Sequence, residues 1–391
     1  MPHQVRFRPT VEVREVHANT APHHHHHHHR HRHREPKSTN AIPDFRFCIE
    51  LGLVLRSRQF NHLSAINLLD ELSERLTNKV KITNHIEGDK SESHRDWTLS
   101  TDKAIAGQSV DYKFGIRLIS PFWRFSNHTQ WMRHMRDVMG LLDHSFEVTT
   151  THQCSTRVHV VPDTGFWTTS QAKALAKSAI YFERCFDALV PPYRRRSVWA
   201  KSNRYNHHMA GMSTAECLAS IESQETLPQL AATMNWCAAN SATGDALGRT
   251  SDFVHDTFRW NFSNLVDGDH FGTIEFRQPP GATSSSNVIS WIMMVVCFAR
   301  LSCTYGNSIQ PQQKASLDSL GEWILYEAEC SGVPHKSLLR DLLSSAQPLK
   351  GKEASYNSIT FGESDRLVLK DKERSITKDK YNKLVKHLIP R

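Results

Sequence analysis

Paired cysteines are missing from this chain. Its eight cysteines, at positions 48, 154, 185, 217, 237, 297, 303 and 330, include no CxxC. That excludes the usual signatures of a structural zinc site and of a dithiol redox motif. The first residues, "MPHQVRFRPT", lack the apolar stretch of a secretory signal, so a cytoplasmic protein with reduced thiols is expected. No GxGxxG follows a strand-like segment and no Walker A run occurs, so neither common nucleotide fingerprint applies. The longest apolar run, "VISWIMMVVCFARL" from Val288, is too short for a bilayer span and reads as a buried helix.

A localised excess of basic charge is missing too. The net charge is +8, but residues 1–40 contribute +4 and residues 346–391 contribute +5, which leaves the middle at −1. A nucleic-acid fold would carry its basic patch in the folded part, so neither a nucleic acid nor a membrane is expected as partner. With 39% hydrophobic and 23% charged residues the chain has the balance of a globular protein. Three regions are expected: a disordered His-rich tail over 1–40 containing "HHHHHHHRHRHR", a folded domain over 41–345, and a Lys-rich segment over 346–391.

Within the middle region, short alternating segments are interleaved with long helical ones. "FRFCIELGLVL" sends Phe47, Ile49, Leu51 and Leu53 one way and Cys48, Glu50 and Gly52 the other. "NHLSAINLLDELSERL" has helical spacing at Leu63, Ile66, Leu69, Leu72 and Leu76. "RDWTLSTDKAI" predicts a strand leading to a turn near Asp102; "YKFGIRLISP" and "STRVHVV" predict strands. "WMRHMRDVMGLLDH" predicts a helix with Trp131, Met135, Val138 and Leu142 in the core. The helix in "SQAKALAKSAIYFERCFDALV" is expected to be capped near Ser170 and stopped by Pro191 and Pro192. "PPYRRRSVW" reads as a basic loop, 213–240 as helical, and "FRWNFSNL" with "GTIEFRQ" as a hairpin-like pair. This irregular alternation favours an α+β fold with a largely antiparallel sheet.

Four strand candidates carry their polar residues on one phase: Glu50; Arg117; Arg157 with His159; Glu275 with Arg277. Residues i and i+2 lie about 6.8 Å apart on one face. If the strands are neighbours, one sheet face gathers two carboxylates, three guanidiniums and an imidazole. Charges flanked by Val, Ile and Phe need partners, which suits a concave site, although a structural ion-pair network has the same sequence signature. A thiol or zinc site at Cys154 with His152 or His159 lacks a third member. Glycoside hydrolysis by Glu50 and Glu275 is disfavoured by the arginines, which oppose a raised acid pKa.

The order of these segments resembles the amidoligase family, relatives of glutamine synthetase and glutamate–cysteine ligase among the carboxylate–amine ligases. The family pattern runs G-[VI]-E-x-E, W-x-x-x-x-D, G-[VI]-E-[LV]-[VI]-S-P, C-G-x-H-V-H, an Arg-containing loop, and E-F-R before a W-containing helix. Its counterparts here are "CIELG", "WTLSTD", "GIRLISP", "CSTRVH", "YRRRSVW" and "TIEFRQPPGATSSSNVISW", spanning about 44–303. The resemblance implies a glutamine-synthetase-like antiparallel sheet with a concave face. It also implies Mg-ATP-dependent phosphorylation of a small-molecule or peptide carboxylate, then attack by an amine. By the same resemblance Glu50 and Glu275 would hold metal, Arg277 would clamp phosphate, Arg195 or Arg196 would contact nucleotide or substrate, and His159 matches the second His of H-V-H.

Three positions depart from the family pattern. Gly52, Arg117 and Arg157 stand where two acids and a His are expected. Relative to the family pattern the site is four units more positive, which opposes Mg²⁺ and favours an anion. Two expectations follow: an active ligase in which Arg117 and Arg157 replace one metal's charge, or a non-catalytic relative that binds an anion, nucleotide or protein.

Overall fold

β1 (Phe45–Ser57) is a 13-residue strand on which the sheet is assembled. The computed structural model describes residues 43–349, apart from 89–94, 107–110, 198, 205, 240–243, 245–247, 267–271 and 348. The expected tails therefore lie almost wholly outside the described residues. The other strands are β2 (Asn84–Ile86), β3 (Trp97–Thr101), β4 (Phe114–Ile119), β5 (Trp123–Arg124), β6 (Phe146–Thr149), β7 (Thr156–Pro162), β8 (Trp236–Cys237), β9 (Phe253–Val254), β10 (Trp260–Asn261) and β11 (Ile274–Phe276). Nine of them form one sheet in the order β10-β11-β7-β1-β4-β3-β2, with β5 and β6 pairing the two ends of β1. Every pairing is antiparallel except β2 with β3.

One face of this sheet is apolar because β1 alternates as its sequence dictates. Phe45, Phe47, Ile49, Leu51, Leu53 and Leu55 are all buried against helices. Fully burying such a side chain is worth about 1.5–3 kcal/mol. The helices are α1 (Ala65–Arg75), α2 (Lys103–Ala106), α3 (His128–Ser145), α4 (Thr169–Leu189), α5 (Pro192–Arg195), α6 (Thr214–Glu222), α7 (Leu227–Asn235), α8 (Ser285–Tyr305), α9 (Leu317–Cys330) and α10 (Ser337–Ser344). α8 packs on β1 and β7 and against α3, α4, α9 and α10. It is long and apolar enough to cross a membrane, unlike the shorter run read from sequence, yet 78% of its apolar window is buried inside the protein. The architecture is α+β, a mostly antiparallel sheet packed with helices.

Local signals account for most boundaries. α4 begins with a capping box between Thr168 and Gln171, two residues before the expected Ser170, and it ends before Pro191 as the missing proline N–H requires. Leu63 is 85% exposed and Ile66 49%, against expectation. Ser64 is the N-cap of α1, so Leu63 precedes the first turn, and the buried stripe starts at Leu68. The basic "PPYRRR" forms a short helix, α5, with Pro192 at its start, where that φ is pre-set. The stretch 213–240 breaks into α6, α7 and the strand β8, because Ser223 and Thr226 cap a C-terminus and an N-terminus respectively.

Candidate active site

The four charged strands are consecutive neighbours, β11-β7-β1-β4. Across them Glu50 pairs with Arg157, Glu275 with His159, and Gly52 with Arg117. The charged side chains share the sheet face opposite the apolar one, where Ile105 of α2 also packs against Gly52 and Val54, and Arg277 follows directly on β11. Its N–H donates to the carbonyl of Arg259 at 2.8 Å, extending the β10–β11 pairing.

Glu50 receives two guanidiniums: Arg117 Nε at 3.1 Å and Arg157 Nη1 at 2.9 Å, both on Oε1. Arg117 also pairs with Asp102, the residue that ends "WTLSTD". Arg157 Nη1 is 3.7 Å from Glu275 Oε1, and His159 Nε2 is 3.7 Å from that same oxygen. Glu275 Oε2 accepts from Asn261 Nδ2 at 2.8 Å and lies 3.7 Å from Arg277 Nη1. Arg277 Nη1 reaches Asp256 Oδ2 at 2.5 Å. The other nitrogen of His159, Nδ1, lies 3.2 Å from Thr273 Oγ1, which also accepts from Asn264.

Burial is the largest influence on Glu275 and pushes its carboxyl up, yet Arg277, His159, Arg157 and the Asn261 amide together pull it down to about 2. Burial likewise works against the Arg277 cation, but Glu275 and Asp256 hold its pKa above the ordinary value. Arg117 is raised in the same way by Glu50 and Asp102 against the cost of burial. Asp102 and Asp256 change the charge balance read from the sequence. Four carboxylates (Glu50, Glu275, Asp102, Asp256) face the three strand arginines (Arg117, Arg157, Arg277), where the sequence pattern had shown two.

The basic segment adds a residue that the resemblance did not single out. Arg194 reaches this strand: its Nε donates to the carbonyl of Gln278 at 3.0 Å and its Nη2 to that of Arg277 at 2.6 Å. Burial, reinforced by Arg157 and Arg277 and offset in part by Tyr193, lowers Arg194 to about 10. Arg195 turns to the carbonyls of Asp187 and Val190, and Arg196 is the C-terminal cap of α5. Behind the strand, Arg259 joins Glu183 at 2.9 Å to Asp187 at 3.0 Å, and Gln278 Nε2 donates to Asp187 at 2.6 Å. This second buried network fixes α4, the basic segment and the end of β11 together.

"PPG" after Arg277 also has a local cause. Pro279 and Pro280 carbonyls accept from the Thr156 N–H, and a Cβ at position 281 would sit 2.6 Å from Cys154 Cβ. Cys154 is thus buried beneath Gly281, and burial raises its thiol, which removes the nucleophile reading. The depressed Glu275 carboxyl removes it as a general acid for glycoside hydrolysis. Sequence reasoning passed over Asp256, Asn261 and Arg194. Only Asn261 had a signal, its place in the strand opposite β11.

A sequence profile of the family described as "putative amidoligase enzyme" matches residues 43–299. The chain belongs to this family. No curated protein matches it. Family membership makes an amide-bond-forming ligase the reference activity, and the ligase resemblance implies a metal. In this amidoligase the donors do not suit one as they stand. A Cβ on Gly52 would lie 2.9 Å from Ile105 Cδ1, so the second acid position of β1 is filled by the Val54–Ile105–Cys154 cluster. Arg117 and Arg157, at two other implied ligand positions, neutralise Glu50 directly.

Proposed function

We propose that this amidoligase joins a carboxylate to an amine with consumption of ATP, and that fixed arginines on the sheet face supply positive charge in place of one metal. The observation that carries this reading is the Arg157 guanidinium set between Glu50 and Glu275 in a face mostly shielded from solvent. A carboxylate becomes electrophilic only with a leaving group: phosphoryl transfer from ATP gives an acyl phosphate and ADP, and the amine then expels phosphate. Such transfer is catalysed by positioning and charge stabilisation, which arginine forks provide. Among the described residues, Arg277 Nε and Arg194 Nη1 are buried donors with no hydrogen-bond partner, which suits an anionic substrate. The acid is a small molecule or a peptide.

A second reading is a non-catalytic amidoligase that binds an anion, nucleotide or protein. It is favoured by the pairing of each of the three face arginines with a carboxylate. ADP release in mixtures of carboxylates and amines separates the two. Release that requires both substrates and is lost in Arg277→Lys supports the ligase; none from a folded protein across amino acids, peptides and polyamines supports the second reading.

A further inference from the structure

Glu50, His159 and Glu275 offer donor atoms that all lie within 4.8 Å of one another. Two carboxylates and an imidazole on three adjacent strands form a donor set for Mg²⁺, Mn²⁺ or Zn²⁺. Glu275 Oε1 is buried and accepts no hydrogen bond among the described residues, so it lacks the partner that such an oxygen ordinarily has. His159 is oriented through Nδ1 by Thr273, which leaves Nε2 toward Glu275. Yet a cation already stands there: Arg157 Nη1 is 2.9 Å from Glu50 Oε1 and 3.7 Å from Glu275 Oε1.

We propose that the Arg157 guanidinium is a tethered cation that holds the place of a divalent ion, so that the natural protein binds no divalent metal at Glu50, His159 and Glu275, and the site opens when Arg157 is removed. The physical reasons are specific. A guanidinium does not lose its proton at accessible pH, and being part of the chain it is never diluted away. An incoming ion would have to shed water and meet a fixed positive charge at contact distance, a repulsion worth several powers of ten in affinity. Arg117 does not take the same role, because its second partner is Asp102 rather than Glu275. Replacement of the family His by Arg157 is therefore an exchange of a metal ligand for the cation itself.

The inference concerns metal binding alone and does not depend on turnover. Mn²⁺ alone is titrated into the full-length chain, with free Mn²⁺ followed by electron paramagnetic resonance. Arg157→Ala and Arg157→His are compared with the natural protein, and Glu275→Gln in each background subtracts sites elsewhere, the His-rich tract included. Circular dichroism establishes which proteins are folded. The expected result is no Glu275-dependent site in the natural protein and one such site in either folded variant, at least about 100-fold tighter. A Glu275-dependent Mn²⁺ site in the natural protein overturns the proposal, as does its absence from both variants. If Arg157→Ala does not fold, Arg157→His, which returns the family residue, gives the reading. Absence of ATP turnover would leave this result intact, so the two proposals fail separately.

Discussion

Glu50 and Arg157 are direct cross-strand partners on β1 and β7, and their side chains meet at 2.9 Å. The same guanidinium reaches toward Glu275 on the next strand. Arg157 thus separates two carboxylates that would otherwise repel one another across the sheet. Breaking a buried pair costs more than the pair contributes, because an uncompensated charge remains. Arg157 is 18% exposed, which places the cost below the fully buried case. Urea denaturation of Arg157→Ala should show a loss of about 2–3 kcal/mol. Saturating Mn²⁺ should return a similar amount, about 2.7 kcal/mol at 100 times Kd.

Glu275 sets an acid limit on stability. Its folded pKa of about 2 lies below the ordinary 4.5, so the charged form is favoured by folding. Its contribution is complete above pH 4.5, falls as the pH drops toward about 2, and is absent below. Stability measured by urea denaturation should therefore decline across that window, with a shallower decline in Glu275→Gln. An unchanged slope in that variant would mean that Glu275 is not the group being protonated.

Position 52 is closed to the family's acid. Gly52→Ala should cost about 1 kcal/mol or less, since Ile105 Cδ1 is the movable end of its side chain. Gly52→Glu would place a carboxylate in the Val54–Ile105–Cys154 cluster and should cost about 3 kcal/mol or more. Combining it with Ile105→Ala should recover part of that loss, a coupling on the order of 1 kcal/mol in a double-mutant cycle.

Arg259 is the buried cation that Glu183 and Asp187 share. Burial raises Glu183, and Arg259 is the main group opposing that shift. Arg259→Met leaves two carboxylates without it and should destabilise the protein by about 3–5 kcal/mol at neutral pH. The loss should shrink as the pH falls and Glu183 takes up a proton. Equal losses at pH 7 and pH 5 would contradict the charge explanation.

The parts of the fold legible in the sequence were those with a period. β1 alternates so regularly that its two faces could be assigned residue by residue, and the common phase of Glu50, Arg117, Arg157 and Glu275 anticipated a shared sheet face. α3 was read from helical spacing, and α8 from its continuous apolar run. What was not legible depends on contacts distant in sequence. Asp256 lies in a segment without period, yet it pairs with Arg277 and adds a negative charge that the strand pattern did not show. The choice of Arg194 over Arg195 depends on α5, whose single turn sends adjacent residues in different directions. Leu63 and Ile66 continued the apolar spacing on paper, but Ser64 starts the helix too late for Leu63 to belong to it.

The most direct test of the ligase account is a calorimetric titration of ATP into the full-length chain, without and with Mg²⁺, beside Arg277→Lys. The lysine keeps the charge but loses the planar fork. The account predicts saturable ATP binding by the natural protein and at least about 10-fold weaker binding by the variant. No ATP binding at any Mg²⁺ concentration, by a protein shown to be folded, would contradict it.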